Sequence, residues 1–397
     1  MVNRLVLFIG MIGISIITHA AILPLAWPTY QGNAAHTGYA PIDVTLLNNP
    51  PTAQWSKVLV RKPVDLAWDQ PIVANGMIYT FSDKGLTALN DTTGSLIWSA
   101  KLSSEYDNFS SPPAYYKGKI YIQTSILPYY RLLYVYDALN GQLILKSPYE
   151  SQSFEYYSPT PFQDSIYMGG GENSGVYSMS PNEVKQIWFN GLNEENCDEW
   201  TPAVDENHVY AYVYSPDPAV GLFYILNRKT GKTEDIIKDH TFSKVEFEDR
   251  YSAPVLDKLD QYVFVISGGR LEAFDINNHK IAYAIGKHFL GQVDYANGKI
   301  YANNNNVLDV FSASTGKKLW SWRKNGEQFN DHFYVTDPFI VTNNVLFLST
   351  NKHVYAISLA THKDLWKINN SGVLSINEHQ LIIFNPNTGI LSVYPIN

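Results

Sequence analysis

The chain has 397 residues, 45% of them apolar and 17% charged, which excludes a disordered polymer. Aromatic residues reach 14%, with 28 Tyr and 9 Trp, and flat rings suit the pleated, half-buried surface of a β-sheet. A formal charge of −8 excludes a nucleic-acid binder, because phosphate contacts need a basic face.

In chain order, residues 1–20 read as a secretory signal peptide. Arg4 gives a positive start, an apolar run follows to Ile17, and Thr18-His19-Ala20 offers a small-residue cleavage site. The run is too short to span a bilayer, and no later stretch is apolar enough to do so. The protein is therefore expected to be exported and soluble, periplasmic or secreted. Cys197 is the single cysteine, so no internal disulfide can form, and no cysteine lies at the cleavage point to carry a lipid. Residues 21–52 form an arm, and "WSKVL" at 55–59 begins the strand-forming part of the chain.

From there the sequence repeats. Pro71 precedes Ile78-Tyr79 by seven residues, and the same offset joins Pro113 to Ile120-Tyr121, Pro159 to Ile166-Tyr167 and Pro202 to Val209-Tyr210. It recurs with an insertion from Pro254 to Val263-Phe264, without the proline from Val293 to Ile300-Tyr301, with an insertion from Pro338 to Leu346-Phe347, and from Leu374 to Leu381-Ile382. A second element follows in most copies: a turn with Gly or Asn, then a large residue four positions after it. Trp98 follows Gly94, Trp320 follows Gly316 and Trp366 follows His362, while Leu145, Tyr283 and Trp188 take the same place elsewhere. Each copy reads as four short antiparallel strands, the pattern of one propeller blade.

The expected fold is all-β, an eight-bladed β-propeller of four-stranded antiparallel blades. The last copy supplies only three strands, "VLSIN", "QLIIFN" and "ILSVYPIN". Residues 53–60 are expected to be the missing outer strand and to close the ring, giving a signal peptide at 1–20, an arm at 21–52 and a propeller at 53–397. Trp55, Trp98, Trp188, Trp320 and Trp366 recur with the repeat and are expected to pack between blades.

The Thr-Gly-x-x-x-Trp element and the leader "WPTYQGNAAHTGY" resemble those of the pyrroloquinoline-quinone-like repeat propellers. That resemblance covers residues 27–397 and specifies fold more than function. The family holds quinone- and calcium-dependent dehydrogenases, similar enzymes having a neighbouring pair of cysteines that this chain lacks. It also holds a non-enzymatic branch, including the propeller scaffold of the outer-membrane β-barrel assembly machine. The chain is similar to that scaffold in export signal, size and repeat number, and departs from it in lacking the lipidation cysteine.

Candidate binding residues come from four acid-x-aromatic-Ser/Thr segments: "DNFSS", "EYYSP", "DEWTP" and "DRYSA". They supply Asp107 and Phe109, Glu155 and Tyr157, Asp198, Glu199 and Trp200, and Asp249 and Tyr251. Each precedes an expected innermost strand, so they should gather at one mouth of the channel and make it acidic and ring-lined. Such a mouth suits a protein partner, or a sugar stacked on the rings. The plain alternative is that the acids and hydroxyls bond nearby backbone and the rings pack. No His-x-His, HExxH, CxxC or Gly-x-Ser-x-Gly is present, so no catalytic residue, metal site or cofactor is assigned. A quinone with calcium enters only under the oxidoreductase alternative. The leading expectation is a non-catalytic binding or scaffold protein; a carbohydrate-binding propeller is a further alternative.

Overall fold

The computed structural model describes residues 26–60, 70–102, 109–125, 132–148, 158–170, 175–194, 201–216, 219–240, 252–257, 261–286, 288–323 and 339–397. These form eight antiparallel sheets with no α-helix among the described residues, only 3-10 turns at Tyr30–Gly32 and Leu192–Glu194. Blade 1 runs Ile72–Ala74, Met77–Ser82, Gly85–Asn90 and Leu96–Ala100 in order from hub to rim. The first strands of the other blades are Ala114–Tyr116 with the short Phe109–Ser110, then Thr160–Phe162, Ala203–Val204, Val255–Asp257, Phe289–Ala296, Phe339–Val341 and Val373–Ile376. Each touches the first strands of the blades on either side, all the way round, so they form the hub of a closed ring.

The ring is sealed by the two ends of the chain. Trp55–Val58 pairs antiparallel with Ile390–Pro395, Trp55 opposite Val393 and Val58 opposite Ile390. This is the outer strand expected from residues 53–60. The eighth blade is thus built from both ends of the sequence, which removes the open edge that a linear array would leave.

Why these residues make radial blades is clear in the second strands. "MIYTFS" and its counterparts are apolar at consecutive positions rather than alternate ones, because both faces of each blade are covered by neighbours. Ile78 and Tyr79, Ile120 and Tyr121, and Ile166 and Tyr167 are all 0% exposed. The hydrophobic core is accordingly divided into clusters lying between successive blades. Tight turns such as Asn75-Gly76 join first to second strands, with φ of 54° and 71°, the left-handed geometry that Asn and Gly tolerate best. Among the described residues no helix is long and apolar enough to cross a membrane.

Candidate functional site

The arm ahead of the first blade is the structural surprise at the hub. Its backbone visits the blades in ring order. Trp27 exchanges two hydrogen bonds with Val73 of blade 1 (2.9 and 3.0 Å), and Pro28 O accepts from Tyr115 N of blade 2 (2.7 Å). Thr29 donates to Pro159 O of blade 3 (2.8 Å). Ala34 O accepts from Val204 N of blade 4, Ala35 O from Leu256 N of blade 5, and Thr37 O from Tyr295 N of blade 6, at 2.8–2.9 Å. Gly38 and Ala40 pair with Val341 of blade 7, and Thr45 and Leu46 donate to Ile396 O of blade 8. Residues 27–46 therefore stopper one end of the channel. It is the end where first strands turn into second strands, since Asn343 N of such a turn donates to Ile42 O.

Two polar side chains of this stopper are dry. His36 and Gln31 are 0% exposed. His36 Nδ1 lies 3.1 Å from Pro254 O, which can only accept, so Nδ1 carries the proton. Nε2 then accepts from the Thr160 hydroxyl at 3.1 Å, and Thr160 in turn meets Thr201 at 2.8 Å. Burial pushes His36 down to about 4, only partly offset by the bond to Pro254, so the ring is neutral near pH 7. Gln31 Nε2 donates to Val293 O and to Asp294 Oδ1, at 3.1 and 2.8 Å. Gly38 leaves room for that carboxylate; a Cβ there would collide with it.

The recurrent tryptophans lie between blades. The indole N–H of Trp98 donates to Ala138 O, that of Trp188 to Arg228 O and that of Trp55 to Asp91 O, each 2.9 Å away and each in the outer turn of the following blade. Trp366 donates to Leu46 O of the arm at 2.8 Å, where the broken eighth blade has no such turn. Trp320 stacks on His362, centroids 4.2 Å apart. The glycine of each such turn lies under a ring: a Cβ at Gly94, Gly141, Gly231 or Gly316 would come within 2.5–2.7 Å of Trp55, Trp98, Trp188 or Tyr283.

Of the candidate binding residues, Asp107, Glu155, Tyr157, Asp198, Glu199, Trp200, Asp249 and Tyr251 lie outside the described residues, as does Cys197. Phe109 is described in its backbone, paired with Ser125. The hydroxyl residues that close the four segments are described and buried, at 0–4% exposure for Ser111, Ser158, Thr201 and Ser252. They are used structurally. Ser111 accepts from Gln123 N at 3.1 Å and Ser252 from Ile266 N at 2.5 Å, tying first to second strands. Ser158 accepts from Tyr30 N of the arm at 2.7 Å. Sequence reasoning missed Gln31, His36 and Asp294, although "YQGNAAHTGY" concentrates polar and small residues where a buried, tightly turned segment would need them.

A calcium ion holding a quinone would need several carboxylate or amide oxygens converging at the hub. Among the described residues no three His, Cys, Asp or Glu side chains are grouped to hold a metal ion. Gln31 and Asp294 are bonded to each other and closed off by the arm.

The family model for outer membrane protein assembly factor BamB matches residues 82–321, more than half the chain. A search of curated protein sequences found no match. Among solved structures, the fold is similar to BamB from Moraxella catarrhalis, with a TM-score of 0.63 at 13% identity over 87% of this chain and 100% of that one. It is also similar to the quinohemoprotein alcohol dehydrogenase ADHIIG from Pseudomonas putida HK5, with a TM-score of 0.67 at 14% identity over 94% of this chain and 80% of that one. At such identities the likeness is one of fold. On the strength of the family match, the chain belongs to the BamB family of outer membrane protein assembly factors, a family of PQQ-like repeat β-propellers.

Proposed function

We propose that the protein is a non-catalytic scaffold, exported by residues 1–20, that holds a protein partner in the cell envelope or outside the cell. The observation that carries this reading is the family match across residues 82–321. The arm supports it from the other side. With one mouth stoppered by residues 27–46, a partner has the opposite mouth, where the chain passes from the outer strand of one blade to the first strand of the next. The acids Asp198, Glu199 and Asp249, with Asp107 and Glu155, would draw a basic surface there, and Phe109, Tyr157, Trp200 and Tyr251 would supply rings.

The test is affinity capture from the native envelope with wild type and a Glu199→Lys/Asp249→Lys variant. Partner recovery is expected to fall about tenfold, the loss of roughly 1.4 kcal/mol of binding. Equal recovery at equal folded protein would contradict the proposed interface. Adding pyrroloquinoline quinone and calcium should give no dye-coupled oxidation of alcohols. Turnover would replace the scaffold reading with an oxidoreductase.

A further inference from the structure

Five Asn-Gly pairs occur in the sequence, beginning at Asn75, Asn140, Asn190, Asn297 and Asn325. In such a pair the glycine nitrogen can attack the asparagine carboxamide carbon, because no side chain on the glycine stands in the way. A new C–N bond closes a cyclic succinimide, and the side-chain nitrogen leaves as ammonia. Water then opens either carbonyl, giving aspartate or isoaspartate. The attacking nitrogen must first lose its proton. A hydrogen bond that holds that proton therefore slows the reaction, as it slows amide hydrogen exchange.

The fold sorts these pairs; Asn325 lies outside the described residues. At Asn140 the Gly141 N–H donates to Asp137 O at 2.9 Å, the carboxamide oxygen accepts from Gln142 N at 2.8 Å, and the Trp98 ring covers the glycine. At Asn190 the carboxamide is pinned at both ends. Its Nδ2 donates to Gly231 O at 2.7 Å and to the Thr233 hydroxyl at 3.0 Å, and its Oδ1 accepts from Leu192 N at 2.9 Å. At Asn297 the Gly298 N–H donates to the Tyr295 hydroxyl at 3.2 Å, and Nδ2 donates to the Tyr39 hydroxyl of the arm at 3.4 Å.

Asn75 has none of this protection. Both Asn75 and Gly76 are exposed, and even a Cβ at Gly76 would meet nothing within 4 Å. Among the described residues the Gly76 N–H has no acceptor. The repeat explains why. In blades 2 and 6 the corresponding glycine N–H is held by a tyrosine hydroxyl three residues earlier, Tyr115 for Gly118 at 3.1 Å and Tyr295 for Gly298. In blade 1 that place is taken by Val73, which has no hydroxyl. The Asn75 carboxamide is held by its Nδ2 alone, 2.5 Å from the Tyr115 hydroxyl.

We propose that Asn75 is the deamidation site of the folded protein, converting to isoaspartate and aspartate ahead of Asn140, Asn190 and Asn297. Isoaspartate adds a methylene to the main chain of a two-residue turn between Ala74 and Met77. That turn adjoins Val73, where Trp27 makes the first of the arm's pairs with the blades. Aspartate leaves the main chain unaltered and can accept from the Tyr115 hydroxyl.

The test holds the full, folded chain in mildly alkaline buffer and follows every pair in one sample by peptide mapping with mass spectrometry. Asn75 should convert about tenfold faster than Asn140 or Asn190, and faster than Asn297. In urea, with the hydrogen bonds gone, the four rates should fall within about threefold of one another. Gly76→Ala, which adds a methyl beside the attacking nitrogen, should slow Asn75 about tenfold and leave Asn297 unchanged. The ranking is read in wild type, so it stands even if that variant melts early. Conversion of Asn75 no faster than Asn140 in the folded chain would overturn the proposal. So would Asn297 running ahead of it, or the same ranking persisting in urea, because sequence and not fold would then set the order.

Discussion

Glu272 is 1% exposed on the third strand of blade 5, and its surroundings fix when it can ionise. Burial first, and then the neighbouring Asp239 carboxylate of blade 4, push it up to about 8; Arg270, 3.7 Å away, offsets this in part. The folded protein therefore keeps a proton that the unfolded chain releases near 4.5. Stability from this group is complete below that value and is lost as pH rises towards 8, by on the order of a few kcal/mol. His36 acts at the other end of the scale. Its folded value of about 4 lies below the ordinary 6.5, so stability is lost as pH falls through that window. Thermal melts of wild type and Glu272→Gln across this range should show the variant gaining relative stability above neutral pH. Parallel curves would refute the role given to Glu272. None of this was legible in "GGRLEAFD", where Glu272 reads as an ordinary strand residue facing water. Its burial depends on which blade lies beside it.

At the level of elements, the seam between blades is a ring lying over a glycine. Gly141 has φ 71°, and a Cβ there would meet Trp98 at 2.5 Å. Gly118 has a similar φ of 78° but nothing within 4 Å, so the pair separates backbone strain from packing. Gly118→Ala should cost about 1–2 kcal/mol, and Gly141→Ala about 1–3 kcal/mol more. Trp98→Ala should cost about 3–5 kcal/mol. Urea denaturation measures all three, and equal losses for the two glycine variants would contradict the seam as drawn. This element could be seen in the sequence, because the four-residue spacing from Gly94 to Trp98 and Gly316 to Trp320 repeats with the blade. The arm could not. It has no period, and its partners Val293 and Asp294 lie more than 250 residues away along the chain.

For the whole molecule, the fold was readable because a repeat states its architecture many times over. Eight copies of one unit, six of them at the same offset, specify eight blades, and a last copy one strand short asks for a strand from elsewhere. Function was less readable, since the acid and ring segments belong to connections rather than to the repeated scaffold, and only their buried hydroxyls, Ser111, Ser158, Thr201 and Ser252, are explained by packing. The one-mouthed hub and the scaffold reading both require that both chain ends share the eighth blade. Ser56 and Ser392 face each other there, hydroxyls 2.9 Å apart. A Ser56→Cys/Ser392→Cys pair in a Cys197→Ser background should oxidise almost completely to one disulfide, hold proteolytic fragments from the two ends together, and stabilise the fold by a few kcal/mol. Two free thiols persisting after oxidation of the folded protein would contradict the closed ring.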